Sequence, residues 1–381
     1  SITGRDVPLT DNPATEGALL VGPIKALQPE LSDALEEKLN ALGPEGFVIQ
    51  SLGGDRTLIT SSGERGVLYG VFHFLRLVQA GHSIQNLSIE QKPQFHHRLL
   101  NHWDDMDGHI ERGYAGRSLW AFTDWNGELP EERKRRIEDY ARYCASVGIN
   151  GAVLNNVNAD PRLLRKDNLA KVTQVADILR PWGIRVFLTP NFASPLPPSD
   201  TPDKRKAWGG IGNLDTADPL DPAVQAWWKA TVDEVYERIP DFGGFLVKAN
   251  SEGMPGPADY NRTHAEGANM LARALKPYGG IVMWRAFVYG RKGDRARHAY
   301  DEFKPLDGMF DDNVYLQLKN GPIDFQPWEP IQPLFGAMPK TRLALELQIT
   351  KEYLGQNKTM TYLGPMWAAI LTADTYAKGK G

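Results

Sequence analysis

The sequence predicts an α/β protein, a (β/α)8 TIM barrel preceded by a small N-terminal α/β domain. Three observations predict it. Eight apolar, strand-like segments recur between residues 97 and 367, and helical patterns lie between several of them. The first of these strands runs into HWDDMDG, which is not the glycine-rich fingerprint of an open dinucleotide-binding sheet. Strand-helix alternation favours a parallel sheet, because parallel strands need long crossovers. The expected boundaries are 1–90 for the N-terminal domain and 91–381 for the barrel, with QKPQF at 91–95 as the junction.

In the N-terminal region, ALLVGP, EGFVIQSL and TLITSS read as short strands. GERG follows as a turn, and VLYGVFHFLRLVQ as a helix with an apolar face. The first four barrel strands are read at HRLLNHW (97–103), INGAVLNNV (149–157), GIRVFLTPNF (183–192) and FGGFLVKAN (242–250). The other four are GGIVMWRAF (279–287), NVYLQLKN (313–320), LALELQIT (343–350) and MTYLGPMW (360–367). ERKRRIEDYARYCASV, LAKVTQVADILRPW and PAVQAWWKATVDEVYERI supply helices before the second, third and fourth strands. HAEGANMLARALKPY and DRARHAYDEF do so before the fifth and sixth, whereas PWEPIQPLFGAMPK and KEYLGQN carry no clear helical pattern.

Composition narrows the function. The 381 residues are 41% hydrophobic and 24% charged, with a net charge of -4 and no long basic block, so a nucleic-acid partner is not expected. No run of 18 apolar residues marks a membrane span. Residues 1–20 lack a signal-peptide pattern, which points to the cytoplasm, although a chain beginning at Ser1 is compatible with prior processing. Asn86, Asn261 and Asn357 each open a glycan-acceptor triplet, a pattern that arises often by chance. Cys144, the only cysteine, lies in a helical pattern and reads as a buried structural thiol. Ten tryptophans suit stacking on sugars as well as core packing.

No metal or other cofactor is expected. The run Asp104 to Asp107 and the pair Asp311 and Asp312 lack calcium-loop spacing, and His96, His97, His102 and His109 lack zinc spacing. Neither HExxH nor a GxSxG elbow is present.

The later strand ends are polar in a way that a buried sheet does not need. Strand four ends in Lys248 and then Glu252, and strand five carries Trp284 and Arg285. Strand six ends in Lys319 before Asp324; strand seven carries Glu346, with Glu352 just beyond. Charges in such segments are costly to bury unless paired or used, and in a barrel the strand ends face one cavity. Structural salt bridges would explain any one of them. Their recurrence on four consecutive strands favours a site. Glu252, Asp324 and Glu352 can supply the acid and base of glycoside hydrolysis, and Lys248, Arg285 and Lys319 suit an anionic substrate group.

At these residues the chain resembles the microbial α-glucuronidases of glycoside hydrolase family 67. The resemblance covers most of the sequence, through VLYGVFHFLRL, LLNHWDDMDGHIERGYAG, GFLVKANSEGMPGP, NRTHAEGANMLARAL, DGMFDDN, LKNGPIDFQPWEP and KEYLG. It implies an inverting hydrolase that removes (4-O-methyl)-D-glucuronic acid from the non-reducing-end xylose of α-1,2-linked aldouronic acids. By the same resemblance Glu252 is the general acid, and Asp324 and Glu352 flank the attacking water. Lys248, Arg285 and Lys319 hold the uronate, Glu346 lines its pocket, and Trp120 shapes or stacks on the sugar.

Two expectations attach to that assignment. Glu252 should have a raised pKa, which requires the Lys248 ammonium to point mainly at the substrate carboxylate. The acid and base carboxyls should stand about 6.5–9.5 Å apart. Relatives of this kind are longer, with a helical C-terminal domain that supports dimerisation. A homo-oligomer is therefore expected of full-length relatives and left open for this chain, as is an incomplete, inactive fragment. FVYGRKGDRARHAY also reads as a shortened loop after strand five. A non-catalytic uronate-binding barrel is the alternative from another class, and a neutral-sugar glycosidase is a third reading.

Overall fold

The computed structural model describes the chain except for residues 1–7, 10–14, 28–32, 112–115, 199–208, 288–292, 328, 357 and 376–381. Asn357, which opens the third glycan-acceptor triplet, and part of the loop after strand five lie outside the described residues. Contacts divide the chain into two compact units. One comprises Ser1–Leu100, Arg135–Gly151 and Ile178–Ile184; the other comprises Asn101–Lys134, Ala152–Asp177 and Arg185–Gly381.

The first unit contains a four-stranded sheet of β1 (Leu19–Pro23), β2 (Phe47–Ser51), β3 (Thr57–Ser61) and β4 (Ser88–Gln91), in the order β1-β3-β2-β4. β1 runs parallel to β3, while β2 is antiparallel to both β3 and β4. α1 (Asp33–Leu42) and α2 (Glu64–Gln79) supply its helices. Phe47, Ile49 and Ile59 from the sheet meet Tyr69 and Phe74 of α2 in one apolar cluster. Leu39 of α1 joins Ile24 and Val48 in another. Neither α1 nor β4 is among the elements read above. α1 carries a leucine stripe at Leu35, Leu39 and Leu42, whereas β4 is a short, polar edge strand.

The long sheet holds seven strands: β5 (Leu99–Asn101), β6 (Gly151–Val153), β7 (Arg185–Leu188), β8 (Gly244–Val247), β9 (Ile281–Arg285), β10 (Val314–Lys319) and β11 (Arg342–Glu346). They lie side by side in chain order, and the pairs from β7 to β11 are parallel. The expected crossover helices are present as α3 (Glu131–Ser146), α4 (Lys166–Leu179), α5 (Pro222–Arg238), α6 (His264–Leu275) and α7 (Arg295–Phe303). Local chemistry starts them. Asp221 caps α5 ahead of Pro222, and Thr263 with Glu266 forms a reciprocal capping box on α6. Among the described residues between β10 and β11 the only helix is the four-residue α8 (Leu334–Ala337).

The eighth strand expected at 360–367 is not a strand. That segment leads into α9 (Gly364–Leu371), with Pro365 in its first turn. Proline is tolerated there because the first helical N–H groups have no intrahelical partner, whereas within a sheet it would remove a ladder hydrogen bond. Among the described residues the sheet is therefore seven-stranded, with edges at β5 and β11.

β8 is seated by absent side chains. A Cβ on Gly243 would lie 2.2 Å from the Phe187 ring, and one on Gly244, whose φ is +135°, would lie 1.9 Å from the Ile281 carbonyl oxygen. With these obstacles missing, Phe245, Leu246 and Val247 are sealed from solvent, and the residues just beyond them occupy the strand's carboxyl end.

Candidate active site

Four strand ends deliver the charged residues. Lys248 follows β8 directly, Arg285 ends β9, Lys319 ends β10 and Glu346 ends β11. Alternation along β9 separates its last two side chains. Trp284 donates through its indole nitrogen to His264 Nδ1 at 3.1 Å, while Arg285 turns to the charged cluster.

Each cation meets one carboxylate. Lys248 is paired with Glu252. Arg285 Nη2 lies 3.0 Å from Glu346 Oε2, and Lys319 Nζ lies 2.6 Å from Asp324 Oδ1. All three cations are buried, at 2%, 2% and 5% exposure, whereas the Glu252 side chain is 44% exposed. Lys319 also lies over the Phe287 ring at 3.1 Å, and Arg285 over Trp103 at 5.3 Å. One buried donor stays unused: Arg285 Nε has no partner among the described residues.

The pairs act on one another. Burial pushes Lys319 down to about 8, helped by the nearby Arg285 charge and opposed by Asp324 and Glu346. Burial also lowers Lys248, against the pull of Glu252. Burial alone would raise Glu252, but Lys248, with Lys319 and Arg285 behind it, more than cancels that effect and holds the carboxyl below its ordinary value. The expectation of a raised Glu252 is thus reversed here, because its ammonium neighbour points at it. Nor is there an uncompensated positive pocket, so the cost of housing an uncharged sugar is smaller than the residue types suggested.

The loops are held by local bonds. Asn250 and Glu252 have φ values of 49° and 50°, in the left-handed region. The Asn250 amide accepts from Ala258 N at 2.9 Å and donates to Asp259, which accepts from Gly256 N, so the turn carrying Glu252 is pinned at both ends. In the loop after β10, the Glu329 carboxylate accepts from the backbone N–H groups of Ile323, Asp324 and Gln326 at 2.6, 2.7 and 2.9 Å. The Tyr353 hydroxyl donates to Asp324 Oδ2 at 2.7 Å. Glu352, its chain neighbour, accepts from the Gln348 amide at 3.2 Å.

Trp120 does not offer a face to a sugar in this structure. Its ring is 1% exposed and stands edge-on to His102 at 5.0 Å. Burial pushes His102 down to about 4, which keeps the imidazole neutral.

A second group is uncharged at its strand end and so stands out less in the sequence. After β6, Asn158 Oδ1 accepts from Lys248 at 2.7 Å and its Nδ2 donates to Glu111 at 2.9 Å. Asn156 donates to the same Glu111 oxygen and to Asp105. Three asparagines in NNVNAD at a strand end were the available signal. Of the acidic groups weighed as metal ligands, Asp311 and Asp312 pair with Arg273 and Lys276. Among the described residues no cluster of three or more His, Cys, Asp or Glu is placed to hold a metal ion.

Comparison with known proteins adds an independent finding. Residues 77–381 match the glycosyl hydrolase family 67 middle domain, and residues 1–74 match the family 67 N-terminus. The probable alpha-glucuronidase A of Neosartorya fischeri is 47% identical over 368 residues, covering 95% of this chain and 41% of that protein. The alpha-glucuronidase of Hypocrea jecorina is 45% identical over 352 residues, covering 89% and 39%. Alpha-glucuronidase A of Emericella nidulans is 43% identical over 377 residues, covering 95% and 42%. The chain thus spans about two fifths of the length of these relatives.

Proposed function

The chain belongs to glycosyl hydrolase family 67, and from that premise we propose that it carries the catalytic site of an inverting α-glucuronidase. The substrates would be aldouronic acids in which (4-O-methyl)-D-glucuronic acid is α-1,2-linked to the non-reducing-end xylose of a xylo-oligosaccharide. The observation that carries this reading is the set of three buried cations at consecutive strand ends, each matched to a carboxylate, with Arg285 Nε still unfilled. An orphaned guanidinium donor beside two lysines fits a carboxylate ligand, which accepts several charge-assisted bonds at once.

In this reading Lys248, Arg285 and Lys319 bind the uronate and Glu346 orients Arg285. Glu252 protonates the leaving oxygen, while Asp324 and Glu352 activate water. Trp120 supports the pocket wall through His102 rather than stacking on the sugar. Residues 1–90 form the accessory domain and 91–381 the catalytic one. The seven strands belong to a (β/α)8 barrel, a reading that an experimental structure with two free sheet edges would refute.

The test is incubation with aldouronic acids, following the released sugar and its anomeric form by NMR. A β-configured first product supports inversion, and an α-configured one overturns it. The ion pair that keeps Glu252 charged also gives weight to a second reading, uronate binding without turnover. Saturable uronate binding with no release would favour that reading.

A further inference from the structure

Lys248 is shared between two acceptors on different loops, Asn158 and Glu252. We propose that Lys248 is a switch between two carboxylates: it surrenders Glu252 to protonation when a bound uronate takes that residue's place, and Asn158, oriented by Glu111, holds it through the exchange. The proposal rests on the α-glucuronidase reading above and adds to it a coupling between recognition and proton loading.

The geometry supplies each part. An ammonium has three donors and no acceptor, and at 2% exposure Lys248 has little access to bulk water. Its bond to Asn158 requires the amide oxygen to face it. Glu111 enforces that orientation by accepting from Asn158 Nδ2. A flipped amide would set oxygen against carboxylate and NH2 against ammonium. The Asn158 backbone N–H in turn donates to Asn156 Oδ1 at 2.9 Å, which ties the acceptor to the loop after β6.

Glu252 feels Lys248, Lys319 and Arg285, while Lys248 feels Glu252, Glu111 and Arg285. With no ligand charge, the cations keep Glu252 ionised, and an ionised carboxylate cannot act as a general acid. A uronate brings one negative charge into the same cluster. Two carboxylates competing for one ammonium favour protonation of one of them. The proton comes from solvent, resides on Glu252 and passes to the leaving oxygen on bond cleavage. A neutral sugar brings no charge and leaves the ion pair closed. Discrimination against neutral substrates would then operate in the chemical step as well as in binding.

The experiment is calorimetric titration with D-glucuronic acid near neutral pH, in buffers of different ionisation enthalpy, which reads protons taken up per ligand bound. At pH 7 the wild-type protein should take up from about half to one proton per uronate, and Glu252→Gln only about a tenth, which recharges Lys319. Binding of the uronate with equal uptake in both proteins, or with uptake in neither, overturns the switch while leaving the uronate reading intact. Failure of the wild-type protein to bind glucuronic acid overturns both. For Asn158, replacement by alanine leaves Lys248 to Glu252 alone. It should raise KM about tenfold and move the upper limb of the kcat/KM profile to lower pH. A raised KM with an unmoved limb removes Asn158 from the device.

Discussion

A lysine that is largely discharged at mildly alkaline pH makes a testable statement about the pocket. Lys319 titrates at about 8 instead of the usual 10.5 because it is buried beside Arg285. Its charged fraction should fall from about ten in eleven at pH 7 to about one in eleven at pH 9. If the bound uronate keeps the ammonium charged, the dissociation constant for glucuronic acid should rise about tenfold over that interval. An ordinary lysine would leave it nearly unchanged. Calorimetric titration at the two pH values measures this, and Lys319→Arg, which does not titrate in the range, should show a shallower loss.

Stability should move the opposite way. Between about 8 and 10.5 the unfolded lysine still holds its proton and the folded one has lost it, so stability rises with pH across that window. The rise should total about 3 kcal/mol, measured by urea unfolding of wild type against Lys319→Arg. Uronate affinity that changes less than twofold between the two pH values would refute the reasoning.

Three further outcomes are expected. Glu346→Ala leaves Arg285 buried without its carboxylate and should cost about 3–5 kcal/mol in denaturant unfolding; a loss well under 1 kcal/mol would show the guanidinium finding another partner. Gly244→Ala drives a Cβ into the Ile281 carbonyl at a φ that L residues rarely adopt, so soluble folded protein should be sharply reduced. A wild-type melting temperature in that variant would contradict the β8 geometry. Tyr353→Phe deletes the 2.7 Å bond that holds Asp324 and, in the proposed reaction, should lower kcat/KM about tenfold. An unchanged kcat/KM in that variant would separate Tyr353 from the chemistry.

How far the sequence led depends on the residue. Strands and helices from β5 to α7 were legible because buried parallel strands are apolar runs and their crossovers repeat a helical period. MTYLGPMW reads as a strand because short apolar runs fit either class, whereas its proline is the start signal of α9. At the site, charges on strand ends were conspicuous by their desolvation cost. Which carboxylate meets which cation was not legible, since that pairing depends on loop turns such as the left-handed residues Asn250 and Glu252. Asn158 and Glu111 escaped notice for a related reason: their importance lies in orienting Lys248, and a side chain that works through another leaves little trace in composition.

The Glu329 carboxylate carries a consequence of a different kind. By gathering three N–H groups of its own loop, it closes a short circuit of chain around Asp324. The backbone turns of that circuit are held within a few adjacent residues, while Tyr353, from further along the chain, holds the aspartate's carboxyl. Such a segment behaves as a cassette. A change in the chain beyond Tyr353 would leave those turns, and the aspartate they carry, in place.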